Sequence, residues 1–178
     1  LSSSLVSLYL EEQHVKVKES IMKSIWMVIN NAYVFFGCTL YAGVLWALRF
    51  FWYPTWEVYT ASNYYDHFIP PTTAATHFFT IVVPLMFMCH LIMIRSEWHT
   101  SMRWLSVATM LCLVVSTVVG QMYIIPINHT LATHIADNNE VSRLLKEWMS
   151  LNDIRFIFMT LAWLLMMYYF GSKAYSWD

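Results

Sequence analysis

Four stretches of roughly 20 residues carry almost no charge, and each is long enough for one helix to cross a bilayer core of about 30 Å. They fall at about 25–53, 72–94, 104–125 and 151–170. In hydrocarbon every backbone N–H and C=O must find its partner within the segment, so these stretches can only be helices. The expected fold is therefore all-α, a four-transmembrane-helix bundle. With 58% hydrophobic and only 12% charged residues, a soluble reading fails, and 178 residues leave no room for a separate soluble domain.

Along the chain, residues 1–24 pair a short apolar start (Leu5, Val6, Leu8, Leu10) with Glu11, Glu12, Lys16, Lys18, Glu19 and Lys23, the pattern of an amphipathic interfacial segment. Residues 25–178 form the single transmembrane domain. Trp52, Pro54 and Trp56 read as an interfacial aromatic belt and helix stop closing the first crossing. Pro84 stands near the middle of the second, where a kink is expected, and Pro126 ends the third. Asp137 precedes Glu140 in a capping-box-like arrangement, and no Gly or Pro follows until Gly171. One long helix is predicted from near Asn139. Its first half is an amphipathic extension with Val141, Leu144, Leu145 and Trp148 on one face, suited to docking against the bundle.

A net charge of −1 supplies no basic field for nucleic acid, so that class is excluded. Cys38, Cys89 and Cys112 lie within apolar runs and read as free thiols rather than a disulfide framework or metal set. Lys16, Lys18, Lys23, Arg95, Arg103 and Lys173 fall on one side, against Arg49, Arg143, Lys146 and Arg155 on the other. The positive-inside rule then puts both termini in the cytoplasm.

Polar groups share a depth. Arg49 lies one turn before the end of the first crossing, His77 near the start of the second, Gln121 near the end of the third, and Asn152, Asp153 and Arg155 open the fourth. Charge at membrane depth is costly unless it faces the bundle, pairs or reaches water, so this layer is the candidate site. The plainer alternative is a local pair for Asp153, with Arg49 and Arg155 snorkelling to headgroups. The inner half is expected to be nearly bare of such groups, with His90 a packing residue. His77 and His90 stand 13 residues apart, but no second helix offers the matching histidines of a bis-histidine haem site. Scattered loop histidines (His67, His129, His134) read as solvated, so neither metal nor cofactor is expected.

The segments IIPINHTL and EWMSLNDIR resemble the anthrone-oxygenase-like family of small four-helix integral membrane proteins. That family shows a P-x-N-x-x-L turn after the third helix, then a tryptophan, a polar residue and an arginine opening the fourth. Here they are Pro126, Asn128 and Leu131, then Trp148, Asn152 and Arg155. The resemblance implies a cofactor-independent oxygenase that oxidises a fused-ring phenol with an acidic methylene to a quinone. Such a protein supplies a base, a cation for the forming enolate and a dry aromatic pocket. On that basis His77 is assigned as base and Arg155 as cation. Arg49, Gln121, Asn128, Trp148, Asn152 and Asp153 are assigned to substrate binding. The expected partners are the bilayer and a hydrophobic aromatic or quinone-like molecule. The rival reading is a non-catalytic accessory subunit of a larger membrane complex, docked on other membrane subunits through its many aromatics.

Overall fold

The computed structural model describes residues 3–175. Among the described residues all regular structure is helical, with α1 (Ser3–Ala47), α2 (Tyr53–Trp56), α3 (Tyr64–Glu97), α4 (Arg103–Val119), α5 (Ile125–Leu131) and α6 (Asn138–Tyr175). Four helical stretches, Gln13–Trp56, Tyr64–Glu97, Arg103–Leu131 and Asn138–Ala174, are long and apolar enough to cross a membrane. They form the predicted four-helix bundle, in which α6 packs along α4 and α1, α1 along α3, and α3 along α4. The end of the bundle beside both chain ends is called proximal here, and the end with the 57–63 and 132–137 connections distal.

Helix ends depart from the sequence expectation in ways that trace to proline. The first crossing is continuous with the amphipathic start, because nothing between Ser3 and Ala47 breaks the helix. Pro54 and Pro126 do not stop their helices. Each is preceded by one π-helical turn, Leu48–Trp52 and Gly120–Ile124. A proline ring lacks an N–H and collides with the carbonyl four residues back, so the preceding turn widens. The Tyr53 N–H accordingly reaches Leu48 O, and the Ile125 N–H reaches Gly120 O, both five residues back. Pro70 and Pro71 sit inside α3, which begins at Tyr64 rather than after them. Thr72 Oγ1 donates to the carbonyls of Phe68 and Ile69, taking up acceptors near that interruption.

The long last helix begins where predicted. Asp137 Oδ1 accepts the Asn139 N–H at 2.9 Å, as an N-cap should. Glu140 does not close the capping box; it pairs instead with Arg143 at 2.7 Å. Val141, Leu144, Leu145 and Trp148 are all buried, so the first half of α6 docks as its spacing implied. They join Trp56, Tyr64, Phe68 and Leu131 in a distal core. A second core, with Val34, Cys38, Leu45, Met86, Leu113, Met159 and Met166, fills the rest of the bundle. Outward positions stay apolar: Phe51 is 72% exposed, Ile81 67% and Ile157 61%, the side-chain chemistry of a lipid-facing surface.

Candidate functional site

Between the two cores lies a cavity of about 630 Å³, within the range of roughly 300–1,000 Å³ usual for small-molecule sites. Both π-turns border it, through Leu48 and Trp52 on one side and Gly120 and Gln121 on the other. Widened turns push side chains out of helical register, and both turns present side chains to this space. Thr80, the residue whose carbonyl Pro84 leaves without its helical donor, also lines the space. The walls are aromatic, with Tyr41 stacked on Phe79 at 4.6 Å. At the distal end the rings of Trp56, Phe68 and Trp148 contact one another at 5.0–5.3 Å between centroids.

Arg155 is the cation on the cavity wall, and a chain of hydrogen bonds holds it. Asn128 Oδ1 accepts the Trp148 indole N–H at 2.8 Å. The Trp148 carbonyl accepts from Asn152 Nδ2 at 3.0 Å, one turn later on α6. Asn152 Oδ1 then accepts from Arg155 Nη1 at 2.7 Å, and Arg155 Nη2 donates to the Tyr41 hydroxyl. The guanidinium also lies over the Tyr41 ring, 5.2 Å from its centroid. Gly120, the first residue of the second π-turn, faces this guanidinium across the cavity wall, and a Cβ there would meet Arg155 Cζ at an ordinary contact distance of 3.6 Å. Arg155 Nε is buried and has no hydrogen-bond partner among the described residues. Both halves of the sequence motif thus meet in space: Pro126 widens the turn, Asn128 and Trp148 join, and Asn152 aims Arg155. Leu131 is fully buried, and its carbonyl accepts from Tyr64 Oη at 2.8 Å.

Of the residues singled out in the sequence, Gln121, Asn128, Trp148, Asn152 and Arg155 line this one cavity. Arg49 and Asp153 do not; they form an ion pair between α1's π-turn and α6, half-exposed, with Arg49 also over the Phe156 ring at 5.7 Å. The plainer alternative has a local pair for Asp153 and a snorkelling Arg49; the structure instead pairs the two with each other across helices. His77 is exposed on α3 and absent from the cavity wall. His67, which looked like a loop residue, stands in the first turns of α3 and does line the cavity, stacked on Tyr59 at 6.0 Å. Tyr41, which holds Arg155, is a lining residue that the sequence did not single out. A tyrosine in an aromatic-rich helix carries no signal until its partner is known.

The proximal half is not bare. Glu97 is buried at the end of α3, where Oε1 accepts from Tyr169 Oη at 2.7 Å and pairs with Lys173 Nζ at 3.0 Å. Thr100 Oγ1 donates to its Oε2 at 2.6 Å. Tyr169 Oη in turn accepts from Asn31 Nδ2 at 2.8 Å, and Asn30 Nδ2 donates to Asn31 and to the Cys89 carbonyl. The network ties α1, α3 and α6 together. It was hidden because Glu97 sits near an apparent helix end and reads as a solvated link residue. His90 is fully buried about two turns earlier on α3, with neither ring nitrogen bonded among the described residues. His134, at φ 56°, stacks on Tyr65 at 3.5 Å. Among the described residues no three of His, Cys, Asp or Glu are placed to share a metal ion.

No curated protein and no solved structure matches the chain. The family model of anthrone oxygenase matches residues 61–165, which include the whole of the Asn128 to Arg155 relay and the α3 wall of the cavity. That is more than half of the sequence, and the chain belongs to the anthrone oxygenase family.

Proposed function

We propose that this membrane protein binds a flat, hydrophobic phenol or quinone-like molecule in the cavity and oxidises it as a cofactor-independent oxygenase of the anthrone type. The single observation that carries this reading is Arg155, a cation oriented by Asn152 and Tyr41 and lining a pocket whose walls are mostly aromatic and aliphatic. In such surroundings its attraction for a forming enolate oxygen is screened far less than in water. The Nε–H is a donor left without a partner among the described residues. In the reaction the substrate methylene loses a proton to a base, and the resulting carbanion transfers electrons to O₂. One oxygen atom becomes the new carbonyl and the other leaves as water, so the methylene is oxidised by four electrons and O₂ is reduced by four.

The base stands across the ring system from the cation, because carbonyl and methylene occupy opposite edges of the central ring. His67, the histidine on the cavity wall, suits that role better than His77. Gln121, Asn128 and Trp148 would shape the pocket. With both termini in the cytoplasm, the cavity would sit in the outer leaflet.

Oxidation of anthrone by the protein in lipid vesicles, followed as anthraquinone formed over the protein-free background, tests the reading. Arg155→Ala should lower turnover by roughly 10²–10³-fold, the usual effect of removing one oxyanion-stabilising donor. Unchanged turnover would refute the assignment of Arg155. Loss of turnover in His77→Ala but not in His67→Ala would return the base to His77. A protein with no ligand affinity that purifies in fixed ratio with other membrane chains would instead be the accessory subunit.

A further inference from the structure

We propose that the cavity takes its occupant sideways from the bilayer, through a slot along α3, rather than from the water at the distal end. The proposal deepens the ligand-binding reading above and rests on it for the identity of the occupant. The distal end is closed by the packed rings of Trp56, Phe68 and Trp148, all three buried. The proximal floor is closed by Leu45 and Val83, which belong to the bundle core. What remains open is the side.

His67, Pro71, Ala74 and Phe78 all line the cavity and all are exposed. Their spacing is i, i+4, i+7 and i+11, which is a single stripe down one flank of α3. A residue that faces both the interior space and the outside marks an edge of an opening, and four in a row mark a slot about 16 Å long at 1.5 Å per residue. Trp52, on the π-turn of α1, is exposed and lines the same cavity. Thr80 and Gln121, the other exposed lining residues, lie outside this stripe.

Depth decides what the slot meets. Phe78 stands about 25 Å along the helix from Arg95, within the roughly 30 Å of a hydrocarbon core, whereas His67 stands well beyond it. The slot therefore runs from the headgroup level into the acyl chains. The matching occupant is a planar molecule already dissolved in lipid. It would slide in edge-on past Ala74, the residue of the stripe with the smallest side chain.

Two measurements on the full chain in vesicles test this. A bimane label on Ala74→Cys, with the unsubstituted protein labelled in parallel to account for Cys89, should be quenched by acyl-chain-brominated phosphatidylcholine. Aqueous iodide should quench it less. Stronger quenching by iodide than by brominated lipid would overturn the lateral slot, whatever the ligand. In the second, anthrone dissolved in the vesicles is mixed with the protein and binding is followed by tryptophan quenching. Ala74→Trp should slow association at least tenfold. Thr73→Trp, the same bulk one residue away and off the cavity wall, should leave it unchanged. Equal rates for Ala74→Trp and the unsubstituted protein would overturn the proposal. Failure of the unsubstituted protein to bind anthrone would sink the functional reading, and the bimane measurement would then decide the slot alone.

Discussion

Asn128→Ala is the perturbation that most directly tests whether the motif residues work as one unit. The side chain accepts the Trp148 indole N–H at 2.8 Å, and Trp148 is only 4% exposed among Trp56, Phe68 and the apolar face of α6. Truncation leaves a buried donor without an acceptor, and an unsatisfied buried polar group costs about 1–3 kcal/mol. For a domain of this size that corresponds to a fall in Tm of roughly 2–12 °C at 2–4 °C per kcal/mol. Thermal unfolding in detergent, read by tryptophan fluorescence, measures it. The same mechanism requires that Trp148→Phe, which removes the donor, make the Asn128 substitution nearly harmless. A double-mutant cycle should therefore show coupling of about 1 kcal/mol or more, in the range found for residues in contact. Asn128→Asp keeps the acceptor and should preserve more stability than Asn128→Ala. If Asn128→Ala melts with the unsubstituted protein, or if the two substitutions simply add, the relay is not a unit and its account of Arg155 fails.

Three other perturbations follow from the same structure. Gly37→Leu should destabilise the bundle by about 1–3 kcal/mol by overpacking, because a Cβ at Gly37 already falls 2.6 Å from Met86 Cγ and Met86 is fully buried; unchanged melting would refute the close α1–α3 crossing. Glu97→Leu should lower stability more than Glu97→Gln, since glutamine keeps one carbonyl oxygen to accept from Tyr169 or Thr100 and leucine keeps none; equal melting temperatures would show that the proximal network contributes nothing. Arg49→Ala should change stability by no more than about 1 kcal/mol, as its pair with Asp153 is half-exposed and exposed ion pairs are worth roughly 0–1 kcal/mol; a loss of several kcal/mol in the same melting assay would mean the pair is a structural tie.

How far the site could be read in advance differs from residue to residue. Arg155, Asn152 and Gln121 were found because each is a polar group at a recognisable depth, a property of position along a hydrophobic run, whereas Asn128 and Trp148 were found through the family motif. Arg49 and Asp153 share that depth yet face each other outside the cavity, since depth says nothing about azimuth. His77 and His67 differ by ten positions on one helix, and only the arrangement of α1 and α4 around α3 makes one of them a lining residue. Tyr41 meets Arg155 across 114 residues, a separation over which no local pattern operates.

The all-helical class, the four helices of membrane-spanning length and the long last helix with its cap were legible along the chain. These follow from hydropathy and from hydrogen-bond requirements that act within a segment. Tertiary structure decided which prolines interrupt and which merely widen a turn. It also decided which charges pair and where an empty volume remains, because those outcomes depend on what a neighbouring helix offers at the same height. The π-turns at Leu48–Trp52 and Gly120–Ile124 show the division clearly. Pro54 and Pro126 are visible in the sequence, but that both widened turns border one cavity is a fact of packing.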